Sequence, residues 1–272
     1  MAIFHVEYFS NALRRVMPLT VLLPVEAPDI PGMPPQPSPI PFRTLYLLHG
    51  YSGSHRDWLH GSRIDMLSRL HRVAVVMPSS ENSFYLDDEV RGAMYGKMTG
   101  EEIVSFTRTV FPLSDKRGDT AIAGLSMGGF GAMRTGLRYP ETFGSIVALS
   151  SAFIMDMVDA MKPEDPNPIA PYSYYRHTFG EMGQVLGSDR DPKALARRLV
   201  EADAALPRIY MACGAEDFLI ESNRSFHAHL ETLGVPHDYT EGTGVHDWVY
   251  WDAHIERAME WLYGKPLVPQ MG

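Results

Sequence analysis

A chain of 272 residues, 45% hydrophobic and 21% charged, is long and apolar enough to build one large domain with an ample core. Its net charge of −9 and the lack of any Lys/Arg run argue against a nucleic-acid surface. The single cysteine, Cys213, excludes an intramolecular disulfide and a cysteine-rich zinc site, and no apolar run approaches the roughly 20 residues of a membrane span.

The opening stretch "MAIFHVEYFSNALRR" has no basic segment followed by an apolar run, so it does not read as a signal peptide. The expectation is a cytoplasmic protein, or a mature chain whose signal has been removed. Residues 3–9 alternate in polarity and 14–24 follow a Ser10-Asn11 break, which predicts an antiparallel hairpin. Residues 28–41 hold seven of the 21 prolines and predict a surface loop, because too little chain precedes them to form a domain.

Short apolar runs bounded by Gly, Pro or Ser predict buried strands at 43–50, 72–79, 120–126, 144–151 and 207–214. Helical patterns separate most of them. "TGEEIVSFTRTVF" (99–111) predicts a helix opened by a capping box, with Thr99 as N-cap, Glu102 at N3, and Ile103, Phe106 and Val110 on one face. Residues 221–234 predict a helix stopped by Gly234. Residues 251–264 predict a terminal helix with Ile255, Met259 and Leu262 in register. Strands alternating with helices imply a single α/β domain over 1–272, its mostly parallel central sheet covered by helices on both faces. Residues 155–205 fit this pattern least and predict a small insertion, a candidate lid over one end of the sheet.

The stretch "DTAIAGLSMGGFGAMRTGLRYP" (119–140) carries five glycines, three of them within three residues of Ser126. Glycine costs a helix about 1 kcal/mol against alanine, so the crowding needs a reason. "GLSMG" (124–128) is a G-x-S-x-G between a predicted strand and a predicted helix, the context of a nucleophile elbow. There Ser126 is the expected nucleophile. A serine needs a base, and the chain order of such sites places it after the last strand. His246, in the Gly-rich "EGTGVHDW" (241–248), occupies that place among 11 histidines. The orienting acid is expected after a late strand. Asp217 in "RIYMACGAEDF" is the choice, with Glu216 beside it and Asp238 and Asp247 as rivals. The oxyanion donors are expected to be the N–H of Met127 and an N–H from "HGYSG" (49–53), where Tyr51 is favoured over Ser52. The histidines lack H-E-x-x-H and H-x-E spacing, so no metal is expected.

The segments "LLHGYSGSHRDW", "AGLSMGGFGAM", "CGAEDF" and "GVHDWVYW" together resemble the esterase D-type α/β-hydrolases, above all their tributyrin esterase and cinnamoyl (feruloyl) esterase branch. The resemblance runs from about residue 43 to 262. It implies an α/β-hydrolase fold, serine carboxylesterase activity, no cofactor and the same triad; the expected partner is a small-molecule short-chain acyl ester, cinnamoyl or acetyl-type included, with neither nucleic acid nor membrane. A homo-oligomer is compatible with it. S-formylglutathione hydrolases and acyltransferases of the mycolyl type are related alternatives. The former usually carry a cysteine soon after the oxyanion motif, where this chain has Ser52 and Ser54. A hydrolase-fold binding protein with a dead site is the non-enzyme alternative. The proline-rich 28–41 segment is long for this branch. Aromatic residues near the expected site, Trp58, Tyr85 and Trp248 first among them, then Tyr51, Phe84, Phe153, Tyr172, Tyr174 and Tyr175, are expected to line a short-chain pocket.

Overall fold

A computed structural model describes residues 1–25 and 40–266. The proline-rich segment, except for Ile40 and Pro41, lies outside the described residues. The strands are β1 (Ala2–Ser10), β2 (Arg15–Leu23), β3 (Thr44–Leu48), β4 (Ala74–Pro78), β5 (Asp87–Asp88), β6 (Ala93–Met94), β7 (Thr120–Leu125), β8 (Ser145–Leu149), β9 (Arg208–Gly214) and β10 (Asp238–Gly242). The helices are α1 (Asp57–Gly61), α2 (Ile64–His71), α3 (Tyr95–Lys97), α4 (Ile103–Val110), α5 (Met127–Arg138), α6 (Met155–Ala160), α7 (Tyr172–Phe179), α8 (Pro192–Glu201), α9 (Ile220–Thr232) and α10 (Trp248–Tyr263).

Eight strands form one sheet in the order β1-β2-β4-β3-β7-β8-β9-β10, and β5 pairs with β6 apart from it. The β1–β2 hairpin is antiparallel, and β2 joins β4 antiparallel. From β4 to β10 every pairing is parallel. Side chains alternate strictly across the sheet. Tyr46, Leu48, Ile122, Ile146, Ala148, Ile209 and Met211 face one core, which Ile103 of α4, Phe130 and Met133 of α5, Leu195 of α8 and Phe226 of α9 complete. Leu45, Leu47, Ala123, Leu125, Val147, Leu149 and Ala212 face the other, closed by Trp58 of α1, Leu67 of α2 and Ile255 and Met259 of α10. Each fully buried Leu, Ile, Val, Phe or Met among them stabilises the fold by about 1.5–3 kcal/mol, and both faces are buried, so the strands read as continuous apolar runs. Cys213 lies in β9 and is fully buried. Among the described residues no helix is long and apolar enough to cross a membrane.

Several boundaries differ from expectation. Thr99 is no N-cap. The helix has already begun at Tyr95 and runs through a π-helical turn over Met98–Glu102, where Thr99 Oγ1 donates to Tyr95 O at 2.8 Å. Glu102 instead accepts from the Asn11 N–H at 2.6 Å and from the Ser10 hydroxyl, fastening the β1–β2 turn. Val110 is 53% exposed and leaves the buried face that Ile103 occupies. α10 begins three residues before the expected start, because the Asp247 side chain accepts the Tyr250 N–H and caps it. β10 was not anticipated. The stop at Gly234 holds as a left-handed residue (φ 68°) whose neighbour Val235 donates its N–H back to Leu230 O at 3.0 Å. In 155–205, α8 belongs to the regular helical layer over α5 and α9, so the excursion from the layer is confined to the chain before it.

Candidate active site

Ser126 sits at the turn between β7 and α5 with φ 53° and ψ −119°, a conformation that costs a non-glycine residue about 1–3 kcal/mol. The surroundings enforce it. The Ser126 N–H donates to Leu149 O at 2.9 Å, and Ser126 O accepts from Ala152 N–H at 3.0 Å and Phe130 N–H at 3.1 Å. The glycines explain how so tight a turn fits. A Cβ on Gly124 would lie 2.2 Å from Gly128 O, and one on Gly128 would lie 2.5 Å from the carbonyl oxygens of Leu48 and His49. The strand β7, the helix α5 and the end of β3 therefore pass one another at backbone contact, which leaves Ser126 at a partly exposed corner.

His246 reaches this corner from the β10–α10 loop. Its Nε2 is 3.0 Å from Ser126 Oγ, and its Nδ1 is 2.8 Å from Asp217 Oδ2. The Asp217 side chain is wholly buried, and its other oxygen accepts the Leu219 N–H at 2.8 Å. Burial alone would raise the Asp217 carboxyl. The hydrogen bonds from His246 and the Leu219 N–H, with the charge of His246, outweigh it and hold its pKa below the ordinary carboxylate value. A carboxylate there keeps the His246 proton on Nδ1 and leaves Nε2 free to accept from Ser126. The ring is braced by Trp251, edge-on at 4.9 Å, and by Phe218 at 4.6 Å.

The rival carboxylates are engaged elsewhere. Glu216 accepts the Gly244 N–H at 2.7 Å, Asp238 accepts the Trp261 indole N–H at 2.7 Å, and Asp247 caps α10. The Met127 N–H opens α5, a 12-residue helix whose N-terminal dipole favours negative charge. In the facing loop the Ser52 N–H is taken by Asn82 Oδ1 at 2.7 Å, which leaves Tyr51 as the donor to consider there. Among the described residues no three His, Cys, Asp or Glu side chains converge as a metal site requires.

A cavity of about 570 Å³ opens beside Ser126, lined among others by Tyr51, Phe84, Met127, Ala152, Phe153, Ile154, Met157, Ile169, Tyr175 and Phe218. Trp58, Tyr85 and Trp248 do not line it, which corrects the expectation that they meet substrate. Trp58 is 1% exposed and donates its indole N–H to Leu48 O at 3.0 Å. Tyr85 is fully buried with its hydroxyl on His49 O, and Trp248 is wedged between Trp58 and Trp251. These rings are large enough to complete the core, and that use took them. Phe218, 66% exposed, also lines the cavity, and its position directly after Asp217 is the sequence signal for it.

The sheet order, the strained serine corner and the serine–histidine–carboxylate chain define the α/β-hydrolase class. The model of the putative esterase family matches residues 10–262, and the chain belongs to that family. It is a carboxylic ester hydrolase. The acetyl esterase of Caldicellulosiruptor saccharolyticus is 44% identical over 262 residues, covering 96% of this chain and 98% of that one. Staphylococcus aureus FphF, a fluorophosphonate-binding serine hydrolase, superposes with a TM-score of 0.82 at 30% identity, covering 96% of this chain and 98% of its own. The S-formylglutathione hydrolase FrmB of Staphylococcus aureus superposes at 0.80 with 30% identity and the same coverage.

Proposed function

We propose that the protein is a serine esterase that removes short acyl groups, acetyl first among them, through an acyl-enzyme intermediate. The observation that carries this reading is His246 bridging Ser126 Oγ and the buried Asp217 carboxylate at 3.0 and 2.8 Å. Ser126 Oγ attacks the ester carbonyl as His246 Nε2 takes its proton. Asp217 holds the ring and stabilises the cation that forms. The N–H groups of Met127 and Tyr51 receive the tetrahedral oxyanion. His246 returns the proton to the departing alkoxide, and water activated by the same base then releases the acid. The apolar cavity accepts the acyl chain, and chains of about two to six carbons are favoured, each added methylene gaining only about 0.8 kcal/mol and only while it fits.

The acetyl esterase at 44% identity supports this choice of substrate class. A glutathione thioester is the second reading, favoured by the likeness to FrmB. It is the weaker one. Asp156 and Glu221 are among the residues lining the cavity, and no Lys or Arg is among them to meet an anionic tripeptide. The test is fluorophosphonate labelling with hydrolysis of p-nitrophenyl acetate, in the native chain and in Ser126→Ala. The variant should fold, lose labelling and lose at least about 10³-fold in kcat. Substantial turnover by a clean Ser126→Ala preparation overturns the reading.

A further inference from the structure

The loop that presents Tyr51 is gripped from outside the triad. The segment 79–85, after β4, holds it at four points. The Ser80 N–H donates to His49 Nε2 at 2.9 Å, and the Tyr85 hydroxyl donates to His49 O at 2.9 Å. The His55 N–H donates to Ser79 Oγ at 3.1 Å, and the Ser52 N–H donates to Asn82 Oδ1 at 2.7 Å. The gripping segment is itself sharply bent, with Glu81, Phe84 and Tyr85 at φ 48°, 51° and 55°, a region L-residues avoid.

Only the Asn82 contact acts at the residue next to Tyr51. Ser52 is left-handed, with φ 63°, so the peptide plane between Tyr51 and Ser52 needs an anchor. Asn82 supplies it and is itself held, because the Tyr174 hydroxyl of α7 donates to Asn82 O at 2.7 Å. The Tyr174 ring also meets the Tyr51 ring edge-on at 5.7 Å. Burial pushes the Tyr174 phenol up, so it remains a protonated donor.

We infer that Asn82 is a positioning residue for the oxyanion site: by holding the Ser52 N–H it aims the Tyr51 N–H at the developing oxyanion, and Tyr174 holds Asn82 in turn. The inference rests on the serine-esterase reading above. It also separates positioning from stability. Ser52 is exposed, so water can replace Asn82 at its N–H with little loss of folding energy, and the anchors at His49 and His55 stay. What water cannot replace is the fixed direction of the neighbouring peptide.

The experiment compares the native chain with Asn82→Ala, Tyr174→Phe and Ser126→Ala on p-nitrophenyl acetate. It adds inhibition by a trifluoromethyl ketone, which forms a tetrahedral oxyanion on the serine, and by the matching methyl ketone, which scarcely does. Asn82→Ala should lose on the order of tenfold to a hundredfold in kcat with KM unchanged. It should bind the trifluoromethyl ketone weaker by a similar factor, and leave methyl ketone binding and Tm where they were. Tyr174→Phe should move the same quantities in the same direction by less, and it carries the test alone if Asn82→Ala does not fold. Unchanged kcat, a change confined to KM, or a fall in kcat without weaker trifluoromethyl ketone binding overturns the role of Asn82 while the esterase reading stands. A native chain indifferent to the trifluoromethyl ketone, with Ser126→Ala still active, overturns the esterase reading itself.

Discussion

Glu216 holds Gly244 from two directions: its carboxylate accepts the Gly244 N–H at 2.7 Å, and its own N–H donates to Gly244 O at 3.1 Å. The residue beside Asp217 is thus tied to the loop two residues before His246. The tie sets the distance over which His246 and Asp217 meet. Glu216→Ala removes the side-chain half of it, a hydrogen bond to a charged group at an exposed position, and should reduce kcat threefold to tenfold, equivalent to about 1 kcal/mol. Glu216→Gln keeps an acceptor and should stay near the native rate. Equal rates for both variants and the native chain in a p-nitrophenyl acetate assay would show that the loops hold register without it.

Asp217→Asn preserves the shape of the acid but cannot hold the proton on His246 Nδ1. Activity should fall roughly 10³-fold to 10⁴-fold with the fold retained. The Asp238 side chain accepts from the Trp261 indole at the surface, and Asp238→Asn should change kcat/KM by no more than about twofold. A reversed order of damage would mean that the carboxylate has been misassigned.

Gly128→Ala places a methyl group 2.5 Å from two backbone oxygens that have no free direction to retreat. The cost should be about 3 kcal/mol, read as a lower urea midpoint. Gly118→Ala, at a surface position with no atom within 4 Å of the added carbon, should leave the midpoint within experimental scatter. Tolerance of Gly128→Ala would contradict the backbone contact at the elbow.

Ala152→Leu fills part of the cavity beside Ser126. The ratio of kcat/KM for p-nitrophenyl butyrate over acetate should fall about tenfold or more, since a longer chain meets the new side chain first. In the native chain the rate should peak within two to six acyl carbons, by the same methylene argument. A steady rise toward long-chain esters, or an Ala152→Leu enzyme with the native ratio, would place the acyl group elsewhere.

His254 of α10 is 4% exposed and stacks on Tyr250 at 4.0 Å. Burial, with a smaller effect from Arg257, lowers its pKa to about 4. In the unfolded chain it returns to about 6.5. The fold therefore holds the neutral ring, and the unfolded chain takes up a proton first as pH falls. This contribution to stability is complete above about pH 6.5 and is lost progressively toward pH 4. His254→Phe, which has no proton to gain, should flatten the fall of Tm across that interval. A His254→Phe curve parallel to the native one would assign the acid sensitivity to other groups.

The elbow was legible because backbone crowding leaves a compositional mark: glycine at 124 and 128 has no substitute where two backbones touch. Five of the six parallel strands were legible for a related reason, since strands buried on both faces must be apolar throughout. β10, "DYTEG", carried no such mark because it is a half-exposed edge strand, and its polar residues face water. The capping-box pattern at Thr99 and Glu102 misled because the same residue types also fasten a neighbouring turn, and only the tertiary position of Ser10 and Asn11 reveals which use is made. The aromatic residues misled most. Trp58 and Phe218 look alike as sequence, yet Trp58 is 1% exposed in the core and Phe218 is 66% exposed and lines the cavity, a difference set by tertiary position.

The burial of Cys213 gives the molecule an internal clock for its own opening. Its thiol is pushed up to about 12, chiefly by burial and then by the nearby Asp217 charge, so in the folded chain it is neither accessible nor ionised. Alkylation under native conditions must wait until β9 leaves its place between β8 and β10. As the chain contains one cysteine, the mass added by iodoacetamide counts opening events at a single address, a few residues before Asp217.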